Sequence, residues 1–252
     1  MSFDLANFTL IDMLQCGRGI RQCAQGAKSV EEAAQSIVEY LYAECENPAS
    51  AAKACALVRF YKTYQFRDLE PRLQSFAKGQ LRGVKNSEQM KCLTLLATIG
   101  QEPQWRDRRQ SLGHQAIPLP SAQIVEGAPM IAQLIRQMGL DIADVLEPQA
   151  SVLHERAGKT YNVFHVENAK GSPYIPAQTE FVERYSVRSV LGFGGLLADG
   201  EFFAVIMFSR GQITAESATR FRNIALDVKA VIHPFSVVPL RRELGGRSHP
   251  RP

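Results

Sequence analysis

The chain has no apolar run near the ~20 residues that a bilayer-spanning helix requires. The longest, Phe202–Phe208, has the length of a strand, so no membrane association is expected. Cysteine is scarce and odd in number. Cys16, Cys23, Cys45, Cys55 and Cys92 show no CxxC spacing, which argues against both a disulfide framework and a zinc knuckle. Free thiols suit a reducing compartment, and a cytoplasmic location is expected. The N-terminus lacks the basic start and apolar core of a signal peptide, because Asp4, Asn7 and Asp12 interleave its apolar residues. A strong charge bias is also missing. The net charge is +4, but Arg241, Arg242, Arg247 and Arg251 set against Glu243 put +3 of it in the last stretch of chain, leaving the body near +1. Nucleic-acid binders spread basic charge over a folded face, so no nucleic-acid partner is expected.

What is present is ordinary for a globular chain: 252 residues, 45% hydrophobic and 21% charged. That suits one domain with helical additions and a buried core. Val30, Ala33, Ala34, Ile37, Val38 and Leu41 recur on one face and predict a helix between Ser29 and Cys45, with Ser29 and Glu32 as a capping box. An earlier helix, Thr9–Ala24, is interrupted by Gly17 and Gly19 and is expected to lean on a partner. Ala54–Thr63 reads as a strand buried on both faces, Leu69–Leu81 as a helix and Lys91–Ile99 as a second strand. Gln101–Pro120 is polar; its Trp105, Arg106, Arg108 and Arg109 read as a solvated loop, with a short strand at Gln115–Leu119. Ala128–Met138 is a short helix ended by Gly139, Tyr161–Val166 a third strand and Ala177–Tyr185 a short helical segment. Val187–Phe193 and Phe202–Ser209 form a hairpin joined through Gly194, Gly195 and the Asp199-Gly200 turn. A closing helix runs from the cap Thr214 to Pro234, with Phe221, Ala225, Val228 and Ile232 at the seam spacing of helix pairs.

The order predicts an α+β fold, a central antiparallel sheet of about five to six strands flanked by helices. Residues 1–28 form an N-terminal helical segment, 29–233 the domain, and 234–252 a basic tail expected to be disordered.

The stretch Val163–Ile232 resembles the second half of a GAF domain. The resemblance rests on a strand ending near Glu167-Asn168, the excursion Pro173-Tyr174-Ile175-Pro176, and a short helix ending Glu183-Arg184-Tyr185. It continues through Ser186–Gly192, Phe203–Phe208 and a helix opened by Ile213-Thr214. With the first half it covers Ser29–His233, departing from the family in the long stretch Gln101–Thr160. The resemblance implies a GAF/PAS-like regulatory fold whose members bind cyclic nucleotides, bilins, haem or small acids, and it implies a role in bacterial signal transduction. Bilin attachment needs a cysteine in the second half, whereas all five precede Gln101.

A ligand site is expected between the sheet and the excursion, lined by the aromatics Phe164, Tyr174, Tyr185 and Phe193 and the polar His165, Ser189 and Arg188. The sequence names no cofactor. His114 and His154 have no second ligand at metal spacing, and no nucleophile, base and orienter assemble from motif spacing, so neither metal nor catalysis is expected. The expected function is a non-enzymatic sensory or regulatory domain, homodimeric through its terminal helices. The alternative is a structural or protein-interaction module with its pocket filled by its own side chains. A thiol reductase of this fold is disfavoured, because Cys55 and Cys92 fall inside apolar strands where burial quiets a thiol.

Overall fold

The computed structural model describes residues 2–46, 53–81, 83–84, 87–111, 113–149 and 161–235. The expected tail beyond residue 235 and His154 lie outside them. In chain order the elements begin with β1 (Phe3–Asp4), α1 (Leu10–Cys23), α2 (Val30–Glu44), β2 (Cys45–Glu46), β3 (Cys55–Gln65), α3 (Pro71–Gln80) and β4 (Lys91–Gly100). There follow β5 (Ala116–Leu119), three short helices α4 (Ala122–Glu126), α5 (Pro129–Gln137) and α6 (Ile142–Leu146), and β6 (Phe164–Val166). A π-helical turn at Gln178–Glu183 leads to β7 (Ser189–Leu196), β8 (Phe202–Ser209) and α7 (Ala215–Ile232).

Six strands form one antiparallel sheet in the order β5-β4-β3-β8-β7-β6, while β1 and β2 pair in parallel beside it. Because side chains alternate across a strand, the sheet feeds two cores. Val58 and Phe60 of β3, Leu191 and Phe193 of β7, and Phe203 and Val205 of β8 pack under α1, α2 and α7. Leu57, Tyr61, Val190, Ala204 and Ile206 point the other way, under α4, α5, α6 and the surrounding loops. That division explains why β3 and β8 read as continuous apolar runs.

The helix starts follow the capping residues. Ser29 Oγ accepts from the Glu32 N–H at 3.2 Å while Glu32 accepts from the Lys28 N–H at 2.8 Å, and Thr9 with Asp12 closes a reciprocal box at the start of α1. Gly17 and Gly19, which look like interruptions, mark close approaches. A Cβ at Gly17 would lie 2.1 Å from Asp227 Oδ2 of α7, and one at Gly19 would lie 2.0 Å from Tyr40 Oη of α2. Two glycines cost a helix roughly 1 kcal/mol each; here packing against α2 and α7 offsets that cost. Arg21 pairs with the same Asp227.

Several expectations are revised. Residues 2–28 are not merely a segment ahead of the domain: Phe3, Leu5, Phe8, Met13 and Ile20 join the core beneath the helices, and Phe8 lies 4.6 Å from Phe221. The seam Phe221, Ala225, Val228 and Ile232 of α7 is buried within the chain, so it is not open to a second helix. Gly194 and Gly195 do not form the hairpin turn. β7 runs through them to Leu196, and the chain reverses between Leu197 N–H and the Glu201 carbonyl at 2.8 Å. At Gly194 a Cβ would sit 2.0 Å from the Phe203 carbonyl oxygen. Trp105, Arg106 and Arg108 are likewise more than parts of a solvated loop. Trp105 packs on Tyr185 at 4.6 Å, Arg108 pairs with Glu70 at 3.3 Å, and Arg106 Nε donates to the Gly100 carbonyl at 3.4 Å.

Candidate functional site

The seven residues expected to line one pocket are distributed over both faces of the sheet and a separate cleft. Phe164 belongs to the core under α5. A Cβ added at Gly192, its partner on β7, would meet the Phe164 Cβ at 3.2 Å and Leu134 at 2.8 Å. His165, next along β6, turns to the opposite face, where its Nε2 lies 2.9 Å from the Ile213 carbonyl oxygen. A carbonyl only accepts, so Nε2 carries the proton. Burial holds this imidazole below the ordinary histidine pKa, against the opposing pull of the Ile213 carbonyl and the Glu167 charge. Ser189 reaches the same segment, donating to the Gly211 carbonyl at 2.8 Å and accepting from the Ile213 N–H at 3.1 Å. Phe193 packs 5.3 Å from Phe221 of α7. Tyr185 stacks into Trp105 and Phe181, and Tyr174 is half-buried at the edge of the core under α5. Arg188 lines a separate surface cleft of about 350 Å³ with Lys170, Glu183 and Ser186. The structure therefore brings His165 and Ser189 together, at the joint between the sheet and α7.

The sheet face away from the terminal helices carries a polar group that the sequence reading passed over. Arg59 of β3 stands opposite Thr98 of β4 and, on its other side, opposite Ile206 of β8. Cross-strand partners project from the same face. Arg59 Nη1 donates to the Tyr61 hydroxyl at 3.1 Å, and Nη2 donates to Ser111 Oγ at 3.2 Å. Ser111 passes its own proton to the Gly113 carbonyl at 3.0 Å. Arg59 Nε and Thr98 Oγ1 are buried with no hydrogen-bond partner among the described residues, and Thr98 is 0% exposed. A clue was present in the sequence: an arginine between Val58 and Phe60, inside a strand read as buried on both faces.

A second charged group closes one end of the sheet. Lys62 pairs with Asp199 at 3.6 Å, and Lys91 pairs with Glu201 at 2.7 Å; both lysines are buried. Thr63 donates to Glu201 and accepts from the Phe202 N–H at 2.8 Å, so the turn between β7 and β8 is fastened to β3 and β4. Lys91, Asp199 and Glu201 also border an open cleft of about 910 Å³ shared with Gln65, Ser121 and Glu147.

All five cysteines are free. Burial pushes the Cys16, Cys55 and Cys92 thiols up to about 12 and Cys23 up to about 11, far from the depressed range of a thiolate nucleophile. Among the described residues, no cluster of His, Cys, Asp and Glu is placed to hold a metal ion, and no helix is long and apolar enough to cross a membrane.

No protein-family model matches the chain, and no curated protein matches it. Among solved structures it is similar to the GAF domain of a phosphoenolpyruvate-protein phosphotransferase from Acinetobacter, at 13% identity over 92% of this chain and 98% of that one, with a TM-score of 0.42. The GAF domain of the corresponding protein from Coxiella burnetii gives 13% identity, 88% and 93% coverage and a TM-score of 0.43. An N-acylhomoserine lactone dependent LuxR family transcription factor from Burkholderia cenocepacia gives 12%, 90% and 98%, and 0.40. The architecture of the chain is an antiparallel six-stranded sheet between terminal helices on one face and short helices and loops on the other.

Proposed function

We propose that the chain is a non-enzymatic regulatory module of bacterial signal transduction that pairs with a second copy of itself and takes up a small molecule against its sheet. The observation that carries this reading is the outer side of α1. Leu10, Ile11 and Leu14 are 60%, 66% and 63% exposed, while Met13, Cys16 and Ile20 on the inner side are buried in the chain's own core. Three large apolar side chains grouped on one helix surface cover one another when two copies meet about a two-fold axis. Of the two terminal helices expected at the interface, α1 retains the free face.

The path from sheet to interface is physical. His165 and Ser189 hold the segment at Ile213, just ahead of α7, and α7 packs on α1 through Phe8, Phe221 and the Arg21–Asp227 pair. A change in the sheet therefore reaches the helix that carries the apolar stripe. Light scattering at micromolar concentration tests the pairing: the native chain is expected at twice 28 kDa. Leu14→Glu is expected at the monomer mass with its circular dichroism unchanged. A native chain that runs as a monomer, at the same mass as Leu14→Glu, would overturn the pairing.

A second reading, an interaction module with a filled interior, is favoured by the placement of Phe164 and Phe193 in two separate packed cores. It requires that nothing bind at the sheet face around Arg59.

A further inference from the structure

We propose that the face of β3 and β4 beside Ser111 is a binding site for a small carboxylate with a short apolar tail, gripped by Arg59 and Thr98. The proposal rests on the ligand-taking reading above and names the chemical class of the ligand.

A guanidinium keeps its charge at any pH a protein meets. Arg59 is half-buried on a central strand, and among the described residues its hydrogen bonds go only to two neutral hydroxyls, Tyr61 and Ser111. Placing a charge there without a counter-charge is unfavourable. Among the described residues no carboxylate hydrogen-bonds or pairs with Arg59, and Asp107 accepts instead from the Arg109 N–H at 2.9 Å.

The free positions have a pattern. Nη1 is turned to Tyr61, Nη2 gives one of its two protons to Ser111, and Nε gives none. Nε and Nη2 form the edge of the guanidinium that holds a carboxylate through two parallel hydrogen bonds. Thr98, directly across the strand, offers an unused hydroxyl proton on the same face. The two orphaned groups are both able to donate, and together they ask for an acceptor with two or more oxygens. Around them the face is apolar, with Leu57 and Ile206 flanking Arg59 along and across the sheet. A hydrated dianion suits such surroundings poorly. A carboxylate on a short hydrocarbon chain suits them well, because the chain lies on Ile206 while the oxygens meet the donors.

The experiment follows the Arg59 Nε–H resonance in the nitrogen-15 labelled full chain, assigned by its loss in Arg59→Lys, during titration with sodium butyrate and with butyramide. The two probes share a shape and differ in charge. Butyrate is expected to shift the resonance with millimolar affinity, butyramide to leave it in place, and Thr98→Val to weaken butyrate about tenfold. Thr98→Val conserves shape, so its effect does not depend on a damaged fold. Equal shifts from both probes would overturn the carboxylate class and leave the ligand-taking reading standing. Shifts from neither probe, nor from inorganic phosphate, would overturn the site. Equal affinity of butyrate for the native chain and Thr98→Val would remove Thr98 from it and overturn the proposal as stated.

Discussion

Replacing Glu201 by glutamine tests what the buried charges at the end of the sheet contribute. Glu201 accepts from Lys91 Nζ at 2.7 Å through one oxygen and from Thr63 through the other; the Lys91 and Glu201 side chains are 7% and 14% exposed. Lys62, 3% exposed, lies 3.6 Å from Asp199 and 4.2 Å over the Tyr64 ring. Burial already holds Lys62 below the ordinary lysine pKa, with Asp199 and then Glu201 opposing that shift. Glutamine keeps the shape of Glu201 and removes its charge, leaving two buried lysines to share Asp199. Breaking a buried pair from one side costs about 3–5 kcal/mol. The lower end, about 3 kcal/mol, is expected, because Lys91 retains the Gly200 carbonyl at 3.5 Å. For a chain of this size, 1 kcal/mol moves Tm by about 2–4 °C, so Tm is expected to fall by about 6–12 °C. Urea denaturation and calorimetry at neutral pH measure both quantities. Pairing Lys91→Met with Glu201→Leu replaces the ions with apolar groups and is expected to recover most of the loss. A loss below about 1 kcal/mol for Glu201→Gln would refute the reasoning, since the pair would then behave like one on the open surface.

Gly194→Ala is expected to cost at least about 3 kcal/mol in urea denaturation, because its Cβ would meet the Phe203 carbonyl, a backbone atom that cannot swing away. Gly79→Ala in α3, where a Cβ meets nothing within 4 Å, is expected to gain about 0.5 kcal/mol, and a loss there would contradict the helix assignment. Thr98→Val in the ligand-free chain is expected to gain about 1 kcal/mol by removing an unpartnered buried hydroxyl; no gain would mean that the hydroxyl is satisfied. The lowered pKa of His165 means that below its ordinary value of 6.5 the unfolded chain binds the proton more readily than the folded one, so stability falls as the solution is acidified from there. His165→Gln is expected to flatten that limb of the pH–stability curve measured by thermal denaturation, and an unchanged limb would assign it to other groups.

The sequence was most legible where a local rule settles the structure. β8 occupies Phe202–Ser209 as read from its apolar run, and Ser29 and Thr214 cap helices as their hydroxyls imply. Periodicity was less informative about what covers an apolar face. Phe221, Ala225, Val228 and Ile232 have the spacing of a helix-pair seam, but the same spacing serves a helix lying on its own sheet. Gly17 and Gly19 depress helix propensity, and only the tertiary positions of Asp227 and Tyr40 show why nothing larger fits.

The candidate site was hardest to read because it depends on register. Alternation along one strand already sends Phe164 and His165 to opposite faces, whereas the side on which Ser189 and Phe193 fall relative to them follows from pairings such as Phe164 with Gly192 that no single strand displays. Arg59 is the instructive case. Averaged hydropathy passes over one arginine in an apolar strand, whereas the energetic argument singles it out: a charge on a central strand needs either a counter-ion or a ligand. The fold places two neutral hydroxyls beside it and an unpartnered threonine across from it. Among the described residues the fold supplies donors there without a counter-charge, and the acceptor proposed to complete the set comes from outside the chain.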